Sequence, residues 1–170
     1  MISKNMQNAI NEQINAELWS AYLYLAMSMD AEAKALRGIA NWFHIQFQEE
    51  QDHARIFQNY LNDSGAKVIL KPISGVPSEW RSPLDMFRNT LAHEQDVTEM
   101  IHKLVKLAME EGDFATLSRL QWFVDEQVEE EDTATFHLNE LDMAGKDYAA
   151  IRSIDKELGK REYAKPSPLE

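Results

Sequence analysis

The sequence predicts an all-α fold, a four-helix bundle with a short fifth helix at its C-terminal end. Apolar residues recur every three or four positions in four long segments, which is the spacing of an amphipathic helix. Residues 66–82 contain Pro72, Gly75 and Pro77 and have no helical period. Extended at up to ~3.3 Å per residue, this segment can span the ~40 Å length of a helix of about 27 residues. We therefore expect one long crossover between helices two and three.

The first two helices are predicted over residues 5–29 and 37–62. Gly65 follows the second helix and suits the left-handed backbone position that ends many helices. Residues 16–29 of the first helix are apolar on every face, which is typical of a helix buried on all sides. A four-helix domain covers only part of each helix, so we expect the remaining apolar surface to contact another subunit. Burial within the monomer is the alternative.

The third and fourth helices are predicted over residues 83–111 and 114–144. Ser82 precedes a proline, the usual N-cap and first-turn pair of a helix start. Gly112 and Asp113 separate the two helices, because glycine ends a helix and aspartate caps the next one. Both helices carry an apolar stripe that faces the core.

The C-terminal part of the chain begins at Gly145, which ends the fourth helix. Asp147 caps a fifth helix over residues 148–158, which is too short to be stable unless it packs against the bundle. One domain is therefore expected over residues 1–160. Residues 161–170 contain two prolines and are expected to form a tail, whose closing Leu-Glu is interpreted as derived from cloning.

Composition restricts the partners and the chemistry. The chain has 17 basic and 29 acidic residues, a net charge of -12, which argues against nucleic acid and anionic membranes and suits cation binding. It has no cysteine, so a metal would be bound by carboxylate and imidazole, which suit iron, manganese and zinc. No apolar run approaches ~18 residues and the N-terminus lacks a signal-peptide pattern, so a cytoplasmic protein is expected.

A polar pair interrupts the apolar stripe of the second helix. Glu50 and His53 lie three residues apart, so a carboxylate and an imidazole point toward the core together. A buried carboxylate without a partner is costly, so it needs a metal, another cation or a proton. For this pair alone, a mutual hydrogen bond or simple exposure explains the pattern as well. A second pair of this kind, Glu99 and His102, is expected to face outward.

Each of the four long helices has such a polar interruption near its middle. Mid-helix positions share one layer of a bundle, so these side chains are expected to meet in the core. Their four glutamates carry about four negative charges, which two divalent ions would neutralise. The sequence thus predicts a buried dinuclear metal site, with an all-polar network as the alternative. The residues are Glu17, Glu50, His53, Glu94, Gln127 and Glu130.

Five motifs point to one family. They are Asn11-Glu12-Gln13 with Glu17, Glu49-Glu50 with His53, His93-Glu94-Gln95, Leu120-Gln121-Trp122 with Glu126-Gln127 and Glu129-Glu130, and Ile154-Asp155-Lys156-Glu157-Leu158. Through them the chain resembles the bacterial non-haem ferritins over residues 1–158. The resemblance implies a ferritin-like bundle, and a homo-oligomeric shell of 24 subunits. Such a shell oxidises Fe(II) with O2 or H2O2 and stores the iron as a ferric mineral.

The resemblance also implies roles for single residues. One iron would be held by Glu17, Glu50 and His53, and the second by Glu94 and Glu130, with Glu50 bridging. Tyr24 lies seven residues after Glu17 on the same helix face and resembles the redox-active tyrosine of the family. Trp122 has a similar position on the fourth helix, where packing is the simpler role.

A third iron site is implied beside the dinuclear one. Its residues would be Glu49, Glu126 and Glu129, with Glu130 shared. Glu49 and Glu126 each precede an inward position by one residue, which places them about 100° to the same side at ~3.6 residues per turn. The alternative is a solvated acidic face, since residues 129–132 are an ordinary run of charges.

Two departures separate this chain from related di-iron proteins. Rubrerythrins and bacterioferritins carry a second E-x-x-H on the fourth helix, where this chain has Gln127 and Glu130, so the two metal positions are unequal. Bacterioferritins place a haem-binding methionine where this chain has Gln51, so no haem is expected. A rubrerythrin-type peroxidase, a DNA-protecting mini-ferritin and a purely structural bundle are the alternatives. The last would leave four buried glutamates unexplained, and mini-ferritins lack a fifth helix.

Overall fold

The computed structural model describes residues 2–169, and that range contains five α-helices and no strand. The helices are α1 (Lys4–Ala33), α2 (Arg37–Asp63), α3 (Pro83–Glu111), α4 (Phe114–Ala144) and α5 (Tyr148–Leu158), followed by a 3-10 turn at Ser167–Leu169. The predicted all-α fold is confirmed. The largest difference from the predicted helix bounds is at the end of α1, which continues to Ala33 instead of ending at Met29. The residues after Met29 include no helix breaker. None of the described helices combines the length and apolarity needed to cross a membrane.

The helix ends follow the predicted capping chemistry. The Ser82 side chain accepts a hydrogen bond from the Asp85 amide at the start of α3, and Asp113 accepts one from the Thr116 amide at the start of α4. Gly112 ends α3 with φ at 64°, in the left-handed region that favours glycine. Only residues 34–36 connect α1 to α2, and only residues 112–113 connect α3 to α4. Each pair of helices therefore packs side by side.

The crossover is bound to α1 by two asparagine amides one helical turn apart. The Asn11 side chain accepts from the Ile69 amide at 2.6 Å and donates to the Lys67 carbonyl at 3.1 Å. The Asn15 side chain accepts from the Lys71 amide at 2.6 Å and donates to the Ile69 carbonyl at 2.9 Å. The backbone groups of alternate residues in the extended segment thus bond to side chains of α1, in place of the backbone partners that a neighbouring strand would provide.

Replacing Asn11 by Ala is expected to loosen this crossover. The substitution leaves the Ile69 amide and the Lys67 carbonyl without these side-chain partners, which costs about 1–3 kcal/mol in unfolding free energy. Amide hydrogen exchange of residues 67–71 should become faster. Asn8→Ala, on an exposed part of the same helix, is the control and should change stability by less than ~0.5 kcal/mol. Equal exchange in the two variants would contradict the role of Asn11.

The fifth helix is attached to the start of α2, as its short length required. The N-cap residue of α2, Leu36, offers no side-chain hydrogen bond. The Asp155 carboxylate of α5 replaces it and accepts from the amides of Gly38 at 2.9 Å and Ile39 at 3.0 Å. Arg152 donates to the Ala35 carbonyl at 2.8 Å. The negative charge at a helix N-terminus also interacts favourably with the helix dipole.

The apolar core consists of two clusters along the bundle axis. One is built around Phe43 and Phe87, and the other around Ile14, Phe57 and Phe123. The rings of Phe57 and Phe123 stack with centroids 3.9 Å apart. In sequence, the mid-helix polar residues of each long helix fall between its contributions to the two clusters. The fold therefore positions one polar layer between two rigid apolar halves.

Candidate metal centre

The four long helices bring six polar side chains to one level of the core. They are Glu17 from α1, Glu50 and His53 from α2, Glu94 from α3, and Gln127 and Glu130 from α4, and each is 7% exposed or less. Burial of this many carboxyl groups needs compensating partners. Four of these residues, together with the half-buried Glu126, form two groups of possible metal ligands that share His53.

The first group is Glu17, Glu50 and His53, whose ligand atoms lie within 4.8 Å of one another. The Glu17 carboxylate accepts one hydrogen bond, from the Gln13 amide at 2.8 Å. His53 Nδ1 lies 3.6 Å from the nearest Glu50 oxygen, which is too far for a hydrogen bond. A mutual hydrogen bond therefore does not account for this pair, and their positions fit the predicted first metal position.

The second group is His53, Glu126 and Glu130, again within 4.8 Å of one another. His53 Nε2 lies 3.9 Å from Glu126 Oε1. Glu130 accepts a hydrogen bond from the Gln46 amide at 3.0 Å. The sequence did not predict this combination, because it assigned Glu126 to a separate third site.

Glu94 belongs to neither of these two groups. Its carboxylate accepts hydrogen bonds from the Tyr24 hydroxyl and, at 3.2 Å, from the Gln127 amide. Both residues were predicted as part of the site, Tyr24 as a redox-active residue and Gln127 as a neutral amide beside the metal. Their roles, and the pairing of Glu94 with Glu130 at a second iron, stay predictions.

The expected third-site residues are placed unevenly. The side chains of Glu49 and Glu126 are half-buried, at 17% and 27% exposed. Glu129 is exposed on α4. Glu49 accepts a hydrogen bond from Arg161 at 2.6 Å. A basic partner from the C-terminal tail was not expected in this acidic group.

Three polar residues that contact the candidate ligands escaped sequence reasoning. Gln46 is fully buried and lies four residues before Glu50, on the same helix face. This spacing could have predicted its place in the polar layer. Thr98 lies one turn after Glu94 and accepts from the Gln127 amide at 3.2 Å. Arg161 carried no signal, since it follows α5 and reaches the site only through the fold.

Two aromatic residues border the polar layer. Tyr24 is fully buried and lies with its ring 6.0 Å from those of Phe43 and His93. Trp122 is half-buried, with its ring 5.5 Å from His53 and 4.9 Å from Phe123. These contacts agree with a packing role for Trp122.

Burial raises the pKa of three carboxyl groups of the layer, those of Glu17, Glu50 and Glu130. Desolvation, followed by the charge of Glu50, raises the pKa of Glu17 well above its ordinary value. Desolvation and the nearby Glu94 raise the pKa of Glu50 in the same way, and that of Glu130 to about 8. Desolvation, with Glu94, also raises the pKa of Tyr24. A bound cation would relieve the repulsion among these groups.

Replacing Glu130 by Gln should change how the stability of the apoprotein depends on pH. The pKa of Glu130 is raised, so the folded state binds more protons than the unfolded state between pH 4.5 and about 8. Its contribution to the free energy of unfolding is fully present below pH 4.5 and is lost as pH rises through about 8.

The gain in stability from Glu130→Gln should therefore grow across this range by several kcal/mol, at about 1.4 kcal/mol per unit of pKa. Unfolding of apoprotein in a chelator, from pH 5 to pH 8, measures it. The exposed Glu99→Gln serves as the control. A gain that does not depend on pH would contradict the raised pKa of Glu130.

Unpartnered buried atoms test whether the layer suits a cation. Glu17 Oε2, Glu50 Oε2 and His53 Nε2 are buried and have no hydrogen-bond partner in the described chain. Each is an electron-pair donor, and the three residues form the first group. Carboxylate oxygen with one imidazole nitrogen is a ligand set that suits iron, manganese or zinc. The residues present therefore fit a metal cation.

A bundle of this topology with carboxylates and imidazole in its core belongs to the class of carboxylate-rich four-helix proteins. The family model for the ferritin-like domain matches residues 7–144. The chain is 39% identical over 163 residues to the bacterial non-heme ferritin of Staphylococcus aureus strain USA300, covering 96% of this chain and 98% of that one. This chain belongs to the ferritin family, which confirms the resemblance stated from its motifs.

Solved structures agree with this assignment. An open pore ferritin from the hyperthermophilic archaeon Archaeoglobus fulgidus superimposes with a TM-score of 0.95 at 45% identity, covering 95% of this chain and all of that one. A humanized archaeal ferritin matches with a TM-score of 0.96 at 44% identity, covering 96% and 99% of the two chains. The fold and the order of the helices are thus those of ferritins.

Proposed function

We propose that this chain is a non-haem iron-storage ferroxidase. The observation that carries the proposal is the first group, in which three buried donor residues from two helices converge and keep three atoms without a partner. Iron is the substrate here rather than a resident cofactor. Family membership and the name of the staphylococcal relative support iron and the absence of haem.

In the proposed reaction, the side chains of the site bind the iron ions, hold them in position and neutralise their positive charge. Glu17, Glu50 and His53 would hold one Fe(II), and Glu94 with Glu130 the second. Two Fe(II) ions together lose two electrons. These electrons reduce O2, which takes up two protons and becomes H2O2, or reduce H2O2, which takes up two protons and becomes two waters. The apolar clusters on both sides of the layer keep the ligands in place.

We further propose that the subunits assemble into a 24-subunit shell in the cytoplasm. Large apolar side chains are exposed on α1, α4 and α5, including Tyr22 at 48%, Met29 at 55% and Met143 at 82%. Surfaces of this kind mark contacts between subunits. The archaeal relatives comprise an open pore ferritin and an engineered closed form, so the shape of the shell is a separate question from its formation.

Aerobic addition of Fe(II) to the apoprotein, followed by size exclusion, tests the function. We expect rapid oxidation and iron that elutes with a large assembly. Redox-inert Zn(II), added first, should slow the oxidation because it occupies the same carboxylates. Elution only at single-subunit size across salt concentrations would contradict the shell. Oxidation no faster than in buffer would contradict the ferroxidase activity.

The double variant Glu49→Ala with Glu126→Ala should separate the third-site residues from the first group. We expect the initial oxidation at the first group to persist, because Glu17, Glu50 and His53 are unchanged. The first burst should oxidise about one iron fewer per subunit, or the centre should regenerate more slowly between additions.

The control for this variant is Glu99→Ala with Glu110→Ala, which removes the same charge from the exposed surface of α3. Stopped-flow absorbance over successive iron additions measures both quantities. Unchanged burst size and unchanged recovery would leave Glu49 and Glu126 as a solvated acidic face.

A further inference from the structure

The C-terminal tail places a positive charge directly on the half-buried acidic residues beside the candidate centre. Arg161, three residues after the end of α5, donates from its guanidinium to Glu49 at 2.6 Å. The two side chains are 25% and 17% exposed. A charge-assisted hydrogen bond of this length occupies a carboxylate oxygen that a metal would need.

Arg161 is oriented by contacts along α2. Its carbonyl accepts from the Asn41 amide at 3.0 Å, and its guanidinium donates to the Trp42 carbonyl at 3.4 Å. The guanidinium carbon lies 4.8 Å from the centre of a Trp42 ring, within cation–π range. Two residues on, the Tyr163 hydroxyl donates to Asp52. We call residues 161–163 the C-terminal arm.

The charge of Arg161 acts on more than its direct partner. Burial raises the pKa values of Glu49, Glu126 and Glu130, and the guanidinium opposes that rise in all three. We call these three carboxylates the acidic cluster. Arg161 thus serves the whole cluster as a cation supplied by the chain itself.

We propose that Arg161 is a latch that occupies the acidic cluster and is displaced when a divalent metal cation enters it, releasing the C-terminal arm. A metal ion bound to Glu49 would face the guanidinium at close range, and two cations on one carboxylate repel each other. Arg161 is therefore a positioning residue that weakens metal binding at the cluster. The inference rests on the proposed metal role of Glu49 and Glu126.

The strength of the latch suits reversible displacement. A partly exposed ion pair is weak, whereas a divalent ion held by several carboxylates is bound more strongly. The hydrogen bonds of the arm in the described chain go to α2 and to Leu158 at the end of α5, so its release leaves the packing between the four long helices in place. A cluster that holds metal weakly is suited to ions that pass through rather than remain.

Titration calorimetry with Zn(II), which is not oxidised, tests the latch on assembled apoprotein. In Arg161→Gln we expect binding at the cluster to become about tenfold tighter, equivalent to about 1.4 kcal/mol, with binding at the first group unchanged. Lys160→Gln is the matched control, because it removes one positive charge at the neighbouring position. The Lys160 side chain pairs with Glu157 at 2.7 Å and not with the acidic cluster. In a Glu49→Gln background, Arg161→Gln should have a clearly smaller effect, because the direct contact is already weakened.

Hydrogen exchange on the wild type provides a second test that requires no folded variant. Zn(II) should accelerate exchange in the peptide that contains the C-terminal arm and slow it in the middle of α2. Wild-type Zn(II) affinity in Arg161→Gln, weaker binding in that variant, or an arm whose exchange ignores Zn(II) would each overturn the latch. Because none of these measurements uses iron oxidation, the latch can fail while the ferroxidase stands, and the reverse.

Discussion

Replacing His53 by Ala is expected to slow Fe(II) oxidation by about 100-fold or more. His53 is the residue shared by both groups of candidate ligands, so its loss removes a ligand atom from each. Misplacing bound reactants by about 1 Å is enough to cost ~100-fold in rate. Stopped-flow absorbance after mixing apoprotein with Fe(II) measures the rate.

The matched control is His102→Ala. His102 belongs to the second E-x-x-H pair, on α3, and is exposed, so the same substitution there should leave the oxidation rate at its wild-type value. Glu17→Ala should resemble His53→Ala in rate. It should not destabilise the apoprotein, because it removes a buried carboxyl group of which one oxygen, Oε2, has no hydrogen-bond partner. Wild-type oxidation rates in both site variants would place the centre elsewhere.

Replacing Gly38 by Ala is expected to lower the free energy of unfolding by about 3 kcal/mol, the upper part of the usual range for overpacking. At this position α2 and α5 meet backbone to backbone. A Cβ atom on Gly38 would lie 1.5 Å from the Asp155 carbonyl oxygen and 2.5 Å from its carbonyl carbon. Because a carbonyl group cannot rotate away as a flexible side chain does, α5 must move away from α2.

Hydrogen exchange in residues 148–158 should therefore accelerate in Gly38→Ala, and denaturant unfolding gives the loss of stability. The control is Gly75→Ala in the crossover, where an added Cβ meets no atom within 4 Å. That change should be neutral or slightly stabilising, since alanine restricts the unfolded chain. Protection of α5 at the wild-type level in Gly38→Ala would contradict the close approach.

His53→Ala and Gly38→Ala test two different features of the fold, the polar layer in the core and the contact between α2 and α5. His53→Ala removes an imidazole ring from the buried polar layer, and Gly38→Ala adds a methyl group where no space exists. Activity should respond strongly to His53→Ala, and stability to Gly38→Ala. If α5 contributes to assembly, Gly38→Ala should also shift the assembly toward smaller species in size exclusion.

Local sequence patterns determined the helices of this protein. The apolar period defines α1 to α5, and Ser82, Asp113 and Asp147 cap their helices as predicted, because capping depends only on residues within one turn. The same period placed Glu50 and His53 inward at mid-helix. Depth along a helix follows from residue number, so the existence of one polar layer was predictable.

Only the tertiary structure decided which polar groups meet. Glu49 binds Arg161, 112 positions away, and Asp155 caps α2 across 117 positions, although neither pair has a local signal. Glu126 lies close to His53 and Glu130, while Glu94 bonds to Tyr24. Helical period gives the direction of a side chain relative to its own helix, whereas its partner depends on how neighbouring helices rotate and where the chain returns. Those rotations are set by packing of the whole core.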